Sequence, residues 1–203
     1  MALTIGQLAA IPRWSDHQTL ALPGRVRGDT LGNWGDNLVR RFGPDALTRI
    51  RRRVPADVAS IPAVLSDRDR VPVHAQLLLT EAIVDEHLGG DMLALYPLLV
   101  ADTRAGLGRI RLMALRALGP GGALKLGPRT FGKVHERGEH TVTVDGRTAH
   151  LAFRGNALFG HPTWRVLQAF ATQLLLELAG SPGSVTADGD FDVHADWGQR
   201  SVA

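Results

Sequence analysis

The sequence predicts an α+β fold, in which an antiparallel sheet of four to five strands packs with a helix-rich middle segment and a buried C-terminal helix. Three observations carry this. Two runs of alternating residues are centred on Asp-Gly pairs, "HTVTVDGRTAHLAF" on Asp145-Gly146 and "SVTADGDFDVHADW" on Asp188-Gly189. Asp-Gly between such runs is the strongest short-range hairpin signal, because its turn positions favour positive φ. Between these hairpins, Trp164, Leu167, Ala171, Leu174 and Leu178 form a near-heptad stripe with Phe170 beside it. So few polar residues interrupt that segment that most of its circumference must be buried. Ahead of both hairpins lies a long stretch of helical apolar spacing. Strands and helices that run separately favour α+β over a βαβ alternation.

In chain order, residues 1–20 carry Pro12 and no strong period, and they are expected to be an N-terminal arm before a single α+β domain over 21–203. Leu20 to Arg27 reads as a strand. Asp29 or Asn33 can cap the next helix, whose Trp34, Leu38 and Phe42 share one face, and Gly43 ends it. Pro44 suits the first turn of a second helix, with Leu47 and Ile50 inward and Arg49, Arg51, Arg52 and Arg53 largely outward. Residues 55–72, with "SDRDR", read as a loop or a short broken helix. A helix follows from Val73, with Val73, Leu77, Val84 and Leu88 on one face and Gly89-Gly90 as its stop. Asp91 caps the next one, which Pro97 is expected to kink or divide. Another helix, roughly 107–118, precedes "GPGG", and a glycine-broken helical segment continues to about His135.

Composition narrows the chemistry. With 203 residues and 44% hydrophobic content the chain can bury a core without staples, and it has no cysteine. Disulfides, thiolate metal sites and cysteine nucleophiles are therefore excluded. The N-terminus has no basic cluster followed by an apolar run, and no segment reaches the roughly 20 apolar residues of a membrane span. A cytoplasmic protein is expected. Net charge is only +3, and of 23 cationic side chains only Lys125 and Lys133 are lysine. Arginine's planar fork suits phosphate and carboxylate partners.

The candidate chemical groups are weighed on spacing. His74 and His87 lie more than three helical turns apart, too far to share one ion. Glu81, Asp85, Glu86 and His87 form a carboxylate-rich helix segment, read as a solvated face. His140 and His150 sit on the two strands of the first hairpin and make the best local histidine couple across the ladder, with structural placement at a strand end as the favoured reading. His161, before Pro162, reads as a cap of the terminal helix. No serine stands in a Gly-x-Ser-x-Gly elbow, and "GDTLGNWGDN" lacks the lysine of a phosphate loop. No metal and no cofactor are expected. The basic cluster Arg40, Arg41, Arg49, Arg51, Arg52 and Arg53 is the strongest candidate surface, fitted to an acidic partner or to nucleic-acid phosphates. No platform of interleaved aromatics accompanies it.

The pattern "RVRGDTLGNWGDNLVRRFGPDALTRIRRRV", with the later hairpin and "ALFGHPTWRVLQAFATQLLLELAG", resembles a myxobacterial paralogous family of unknown function. More distantly it is similar to haem-nitric-oxide-binding, four-vinyl-reductase-like and trafficking-complex (TRAPP-like) domains. The shared features are the helix carrying Phe42-Gly43, a polar start to the next helix, and the terminal helix ending "ELAG". This resemblance implies a sheet with helices packed around it, and ligand sensing or protein assembly rather than catalysis. Two departures limit it. Tyr96 is the only tyrosine and is followed by Pro-Leu-Leu, which does not match the haem-binding Tyr-x-Ser-x-Arg motif, and the cysteines common in vinyl-reductase-like members are absent.

These readings converge on a non-enzymatic ligand-sensing or protein-interaction module. Its expected partners are another protein or a second copy at the arginine surface, and a small apolar ligand in a pocket built by Tyr96, Trp164 and Phe170. The alternative is a nucleic-acid-binding accessory protein that uses Arg49 to Arg53.

Overall fold

The structure is a computed structural model and describes residues 2–188 and 192–198. Leu3–Thr4 (β1) runs into Ile5–Ala9 (α1), and Asp16–Leu20 (α2) follows. Both short helices start with a reciprocal capping box, Thr4 with Gln7 and Ser15 with Gln18, which satisfies backbone donors that a helix of this length leaves unpaired. Next come Arg25–Arg27 (β2), Trp34–Phe42 (α3), Ala46–Arg53 (α4), Ala56–Ala59 (α5), Arg70–Pro72 (β3) and Val73–His87 (α6). The chain continues through Leu95–Leu124 (α7), Gly127–Val134 (α8), Glu139–Asp145 (β4), Thr148–Arg154 (β5), Pro162–Leu178 (α9), Ser184–Ala187 (β6) and Val193–Asp196 (β7). The fold is α+β, with a five-stranded antiparallel sheet in the order β1-β6-β7-β5-β4.

The residues group into two compact units. One comprises residues 1–13, 96–132 and 138–203; the other comprises 14–95 and 133–137. The N-terminal residues thus divide, with Leu3 and Thr4 pairing opposite Ala187 and Thr186 of β6.

In the first unit the five-stranded sheet has one apolar face. Ala149, Leu151 and Phe153 of β5, Val185 and Ala187 of β6, and Val193 and Ala195 of β7 are all buried, as period-two alternation requires. α9 and α1 pack together, and α9 also contacts β6 and β7. Trp164 of α9 meets Phe153 of β5 edge-on, with ring centroids 5.0 Å apart. Burial of each such large side chain contributes roughly 1.5–3 kcal/mol relative to exposure. The stripe on α9 is buried at Trp164, Leu174 and Leu178, but Ala171 is exposed. The first hairpin turns where expected, although Asp145 pairs with Thr148, so Gly146 and Arg147 form the turn and Gly146 takes φ +54°. Strands β6 and β7 pair as the second hairpin, while its expected turn at Gly189 lies outside the described residues.

The middle helices are interrupted in a different place from the one proline chemistry suggests. Pro97 lies in the first turn of α7, where a missing N–H costs nothing. The interruptions are at Gly108 (φ +67°, ψ 163°) and Gly119 (φ +64°, ψ 174°), conformations that a side chain would oppose.

In the second unit β2 and β3 form a two-stranded antiparallel ribbon, with Val26 opposite Val71, and His135 bridges to Val26. Only three residues of the Leu20 to Arg27 segment are therefore strand, and the charged loop leads into a strand that its composition hid. Trp34 and Leu38 of α3, Ile50 of α4, and Val73, Leu77 and Val84 of α6 build the core. Trp34 donates its indole N–H to the Pro62 carbonyl at 2.9 Å. The glycines of "GDTLGNWGDN" serve packing. A Cβ at Gly28 would stand 2.7 Å from the Ser66 carbonyl oxygen, and one at Gly35 would collide with Ala63.

Candidate functional site

The opposite face of the five-stranded sheet is mostly polar, with Ala152 of β5 its apolar exception on that strand. The register sets Thr143 against His150, Asp145 against Thr148, His150 against His194, Thr148 against Asp196, and both Thr186 against His194 and Ser184 against Asp196. Because side chains alternate, all of these share one face, and together they line a groove of about 280 Å³. Its centre is a histidine pair: the His150 and His194 rings stack with centroids 4.9 Å apart and planes 16° apart.

Each histidine is tied to its own carboxylate. His150 Nε2 lies 2.8 Å from Asp192 Oδ2, and His194 Nε2 lies 3.1 Å from Asp188 Oδ2. Asp192 is buried and also accepts from both terminal nitrogens of Arg154, Nη2 donating to Oδ2 at 2.9 Å and Nη1 to Oδ1. The bonds from Arg154 hold its carboxyl below the usual carboxylate range against the opposing effect of burial, and His150 adds to them. The two aspartates are themselves joined through the backbone, Asp188 N–H donating to the Asp192 carbonyl at 2.9 Å, and Arg165 donates to the Asp188 carbonyl. Among the described residues, no three His, Asp or Glu side chains are arranged to hold a metal ion.

His140 and His150 do not pair across the ladder. His140 is opposite Phe153, three ladder positions away and on the other face of the sheet. There it stacks on the Phe153 ring at 4.3 Å, and burial lowers its pKa to about 4. His161 precedes Pro162 at the start of α9 as expected, but it is fully buried, makes no side-chain cap bond, and has its pKa lowered by burial to about 4.

Tyr96, Trp164 and Phe170 do not line one pocket. The Tyr96 and Phe170 rings are 5.1 Å apart, and the Tyr96 hydroxyl donates to Glu177 Oε1 at 2.7 Å. Burial first, and then this bond, raise the tyrosine's pKa. Trp164 belongs instead to an aromatic cluster with Phe153 and Phe159, the latter at 4.8 Å. Six helical positions rotate Trp164 about 240° from Phe170, which places the two on different sides of α9.

The arginine run is largely engaged in its own unit. Arg49 Nε and Arg53 Nε approach Glu86 at 3.2 and 2.5 Å, joining α4 to the end of α6. Arg51 donates to the Ile61 carbonyl at 3.3 Å, and Arg40 donates to Asn37 Oδ1 at 2.7 Å. Arg41 is half-buried, while Arg52 is exposed. Next to Glu86, His87 stacks flat on Phe42 at 4.2 Å, and burial, followed by Arg49, lowers its pKa. With Glu81 buried as well, the segment of α6 read as a solvated face is packed or ion-paired at Glu81, Glu86 and His87, and only Asp85 is exposed.

His194, Asp188, Asp192 and Arg154 were not singled out by spacing in the sequence. Asp192-x-His194-x-Asp196 does place three polar groups on one strand face, and that alternation is the signal that was available. Comparison of the chain with protein-family models, with curated proteins and with solved structures finds no match.

Proposed function

We propose that this protein is a non-enzymatic ligand-sensing module whose polar sheet face binds a small molecule rich in hydrogen-bond donors. The observation that carries this reading is the registered His150–His194 pair, each ring held by its own aspartate, at the centre of the groove. Both rings are fixed by stacking and by their Nε2 atoms, which suits recognition by preformed walls. The groove is rich in acceptors: Asp145 and Asp196 line it, and Thr143, Ser184 and Thr186 add hydroxyls. A ligand with ammonium or several hydroxyl groups complements that lining.

A nucleic-acid role through Arg49 to Arg53 requires free guanidinium groups, and Glu86 engages two of them. The sheet face is therefore the favoured reading. Two probes test it, spermidine for the ammonium class and sorbitol for the polyol class. Titration followed by backbone amide chemical shifts should move Thr143, Thr148, Thr186 and His194 together, and His194→Ala should abolish those shifts. If neither probe at roughly millimolar concentration perturbs these residues, the reading fails.

A further inference from the structure

A separate feature of the sheet-containing unit lies on the middle piece of α7. Gly108 and Gly119 leave helical geometry, which isolates residues 109–118 as their own helical piece. No atom lies within 4 Å of where a side chain at either glycine would stand. At about 100° per residue, Ile110, Met113, Ala114, Ala117 and Leu118 fall on one face. That face is turned to solvent: Ile110 is 84% exposed, Met113 62% and Leu118 52%, and both alanines are exposed. Leu112 and Leu115 lie on the opposite side and are half-buried. The same rotation puts Arg111 along one border of the apolar face and Arg109 and Arg116 along the other, all three exposed. From Thr103 through Gly132 there is no aspartate or glutamate, whereas Arg104, Arg109, Arg111, Arg116, Lys125 and Arg129 are cationic.

We propose that the Ile110/Met113/Leu118 face, with its arginine borders, lies in the headgroup layer of an anionic lipid surface. A contiguous exposed apolar patch marks an interaction surface. A short helix with an apolar face and arginine on both flanks matches the requirements for lying in the plane of such a surface. A plane offers anionic charge to both borders at once, as this arrangement needs. Charge argues against a second copy, because a two-fold contact would set the arginine borders against themselves with no carboxylate between Thr103 and Gly132 to pair with them. The proposal is independent of the histidine groove.

The test is co-sedimentation of the full chain with vesicles of equimolar phosphatidylglycerol and phosphatidylcholine, and with vesicles of phosphatidylcholine alone. Binding is expected only to the anionic vesicles, and it should weaken as salt is raised. Each arginine near an anionic surface contributes roughly fivefold to partitioning, so Arg109→Gln/Arg111→Gln/Arg116→Gln should lose on the order of a hundredfold. Ile110→Gln/Met113→Gln should lose roughly tenfold or more. These positions are exposed, and far-UV circular dichroism checks that the variants remain folded. Equal binding to both vesicle types, no binding at low salt, or variants that bind like the parent would overturn the proposal. So would self-association that Ile110→Gln/Met113→Gln abolishes, which assigns the face to a second copy. Binding to polyglutamate without binding to vesicles assigns it to an acidic protein and overturns the proposal equally.

Discussion

His150 and His194 are directly opposed across β5 and β7, stacked 4.9 Å apart, and each contacts a different aspartate through Nε2. A cross-strand pair of this kind contributes roughly 0.2–1 kcal/mol, and the two aspartates hold the rings in that pairing. The paired aspartates therefore belong to the histidine arrangement as much as the rings do. Asp192 carries the larger share, because it also holds Arg154.

Asp192→Asn is expected to destabilise the protein by about 2 kcal/mol at neutral pH, the scale of hydrogen bonds to a charged group. The folded-state pKa of Asp192 is lowered. Its contribution is thus present above the unfolded value near 4 and is lost as pH falls through the lower folded value. Urea unfolding should show the variant approaching the parent below about pH 4. A constant gap down to the acid limit would contradict the ionised role assigned here.

The half-buried imidazole of His140 and the buried one of His161 both resist protonation in the folded protein. Their folded pKa values are lowered from 6.5 to about 4, so the unfolded chain takes up protons first. Stability is complete above about pH 6.5 and falls as pH drops toward 4, by at most about 3 kcal/mol for each group. His140→Phe keeps the stack on Phe153 and should flatten part of that decline. Denaturation midpoints measured between pH 7 and pH 4 for both proteins check this.

Tyr96→Phe deletes the hydroxyl that donates to Glu177 and leaves the ring contact with Phe170 in place. A loss of about 1.5 kcal/mol is expected, because a partly buried charged acceptor is left with one donor fewer. Glu177→Gln should cost less, since its amide oxygen still accepts. Thermal unfolding of the two variants ranks them, and the reverse order would show that the tyrosine hydroxyl is not the dominant donor.

The arginine run separates into members engaged by Glu86 and the exposed Arg52. Arg52→Ala should change stability by less than about 0.5 kcal/mol, as surface substitutions do. Glu86→Ala should cost about 1 kcal/mol or more, because it leaves Arg49 and Arg53 without their shared carboxylate beside the Phe42–His87 stack. Chemical denaturation of both variants tests the contrast.

Local signals in the sequence were dependable where one segment contained the whole cause. Asp145-Gly146 located the first hairpin, Asp91 capped the turn that it precedes, and Gly89-Gly90 stopped α6. The reciprocal caps Thr4-x-x-Gln7 and Ser15-x-x-Gln18 are equally local and give short helices to a segment whose lack of apolar period suggests an arm. β3 was hidden because Arg70–Pro72 is a strand only through pairing with β2, and its own composition is that of a charged loop.

The candidate site was legible only in its parts. His150 was identifiable on a strand, but its nearest histidine in the hairpin, His140, lies on the other face, because side-chain direction reverses at every position along a strand. His194 became its neighbour through the pairing of β5 with β7, two strands far apart in the chain. The same reason explains the arginines. Their helical spacing was visible, whereas Glu86 reaches Arg49 and Arg53 only when α6 returns to α4.

By itself the sequence determined the α+β class, the first hairpin, the buried character of α9 and a helix ending near Leu118, since each depends on periodicity and turn chemistry within a few residues. Only the tertiary structure decided which polar groups meet. Strand register brought His150 and His194 together with Asp188 and Asp192, and helix packing turned basic residues toward Glu86. Contacts between distant segments are set by the burial of apolar faces elsewhere, and the polar residues that line a groove are carried into place by that burial.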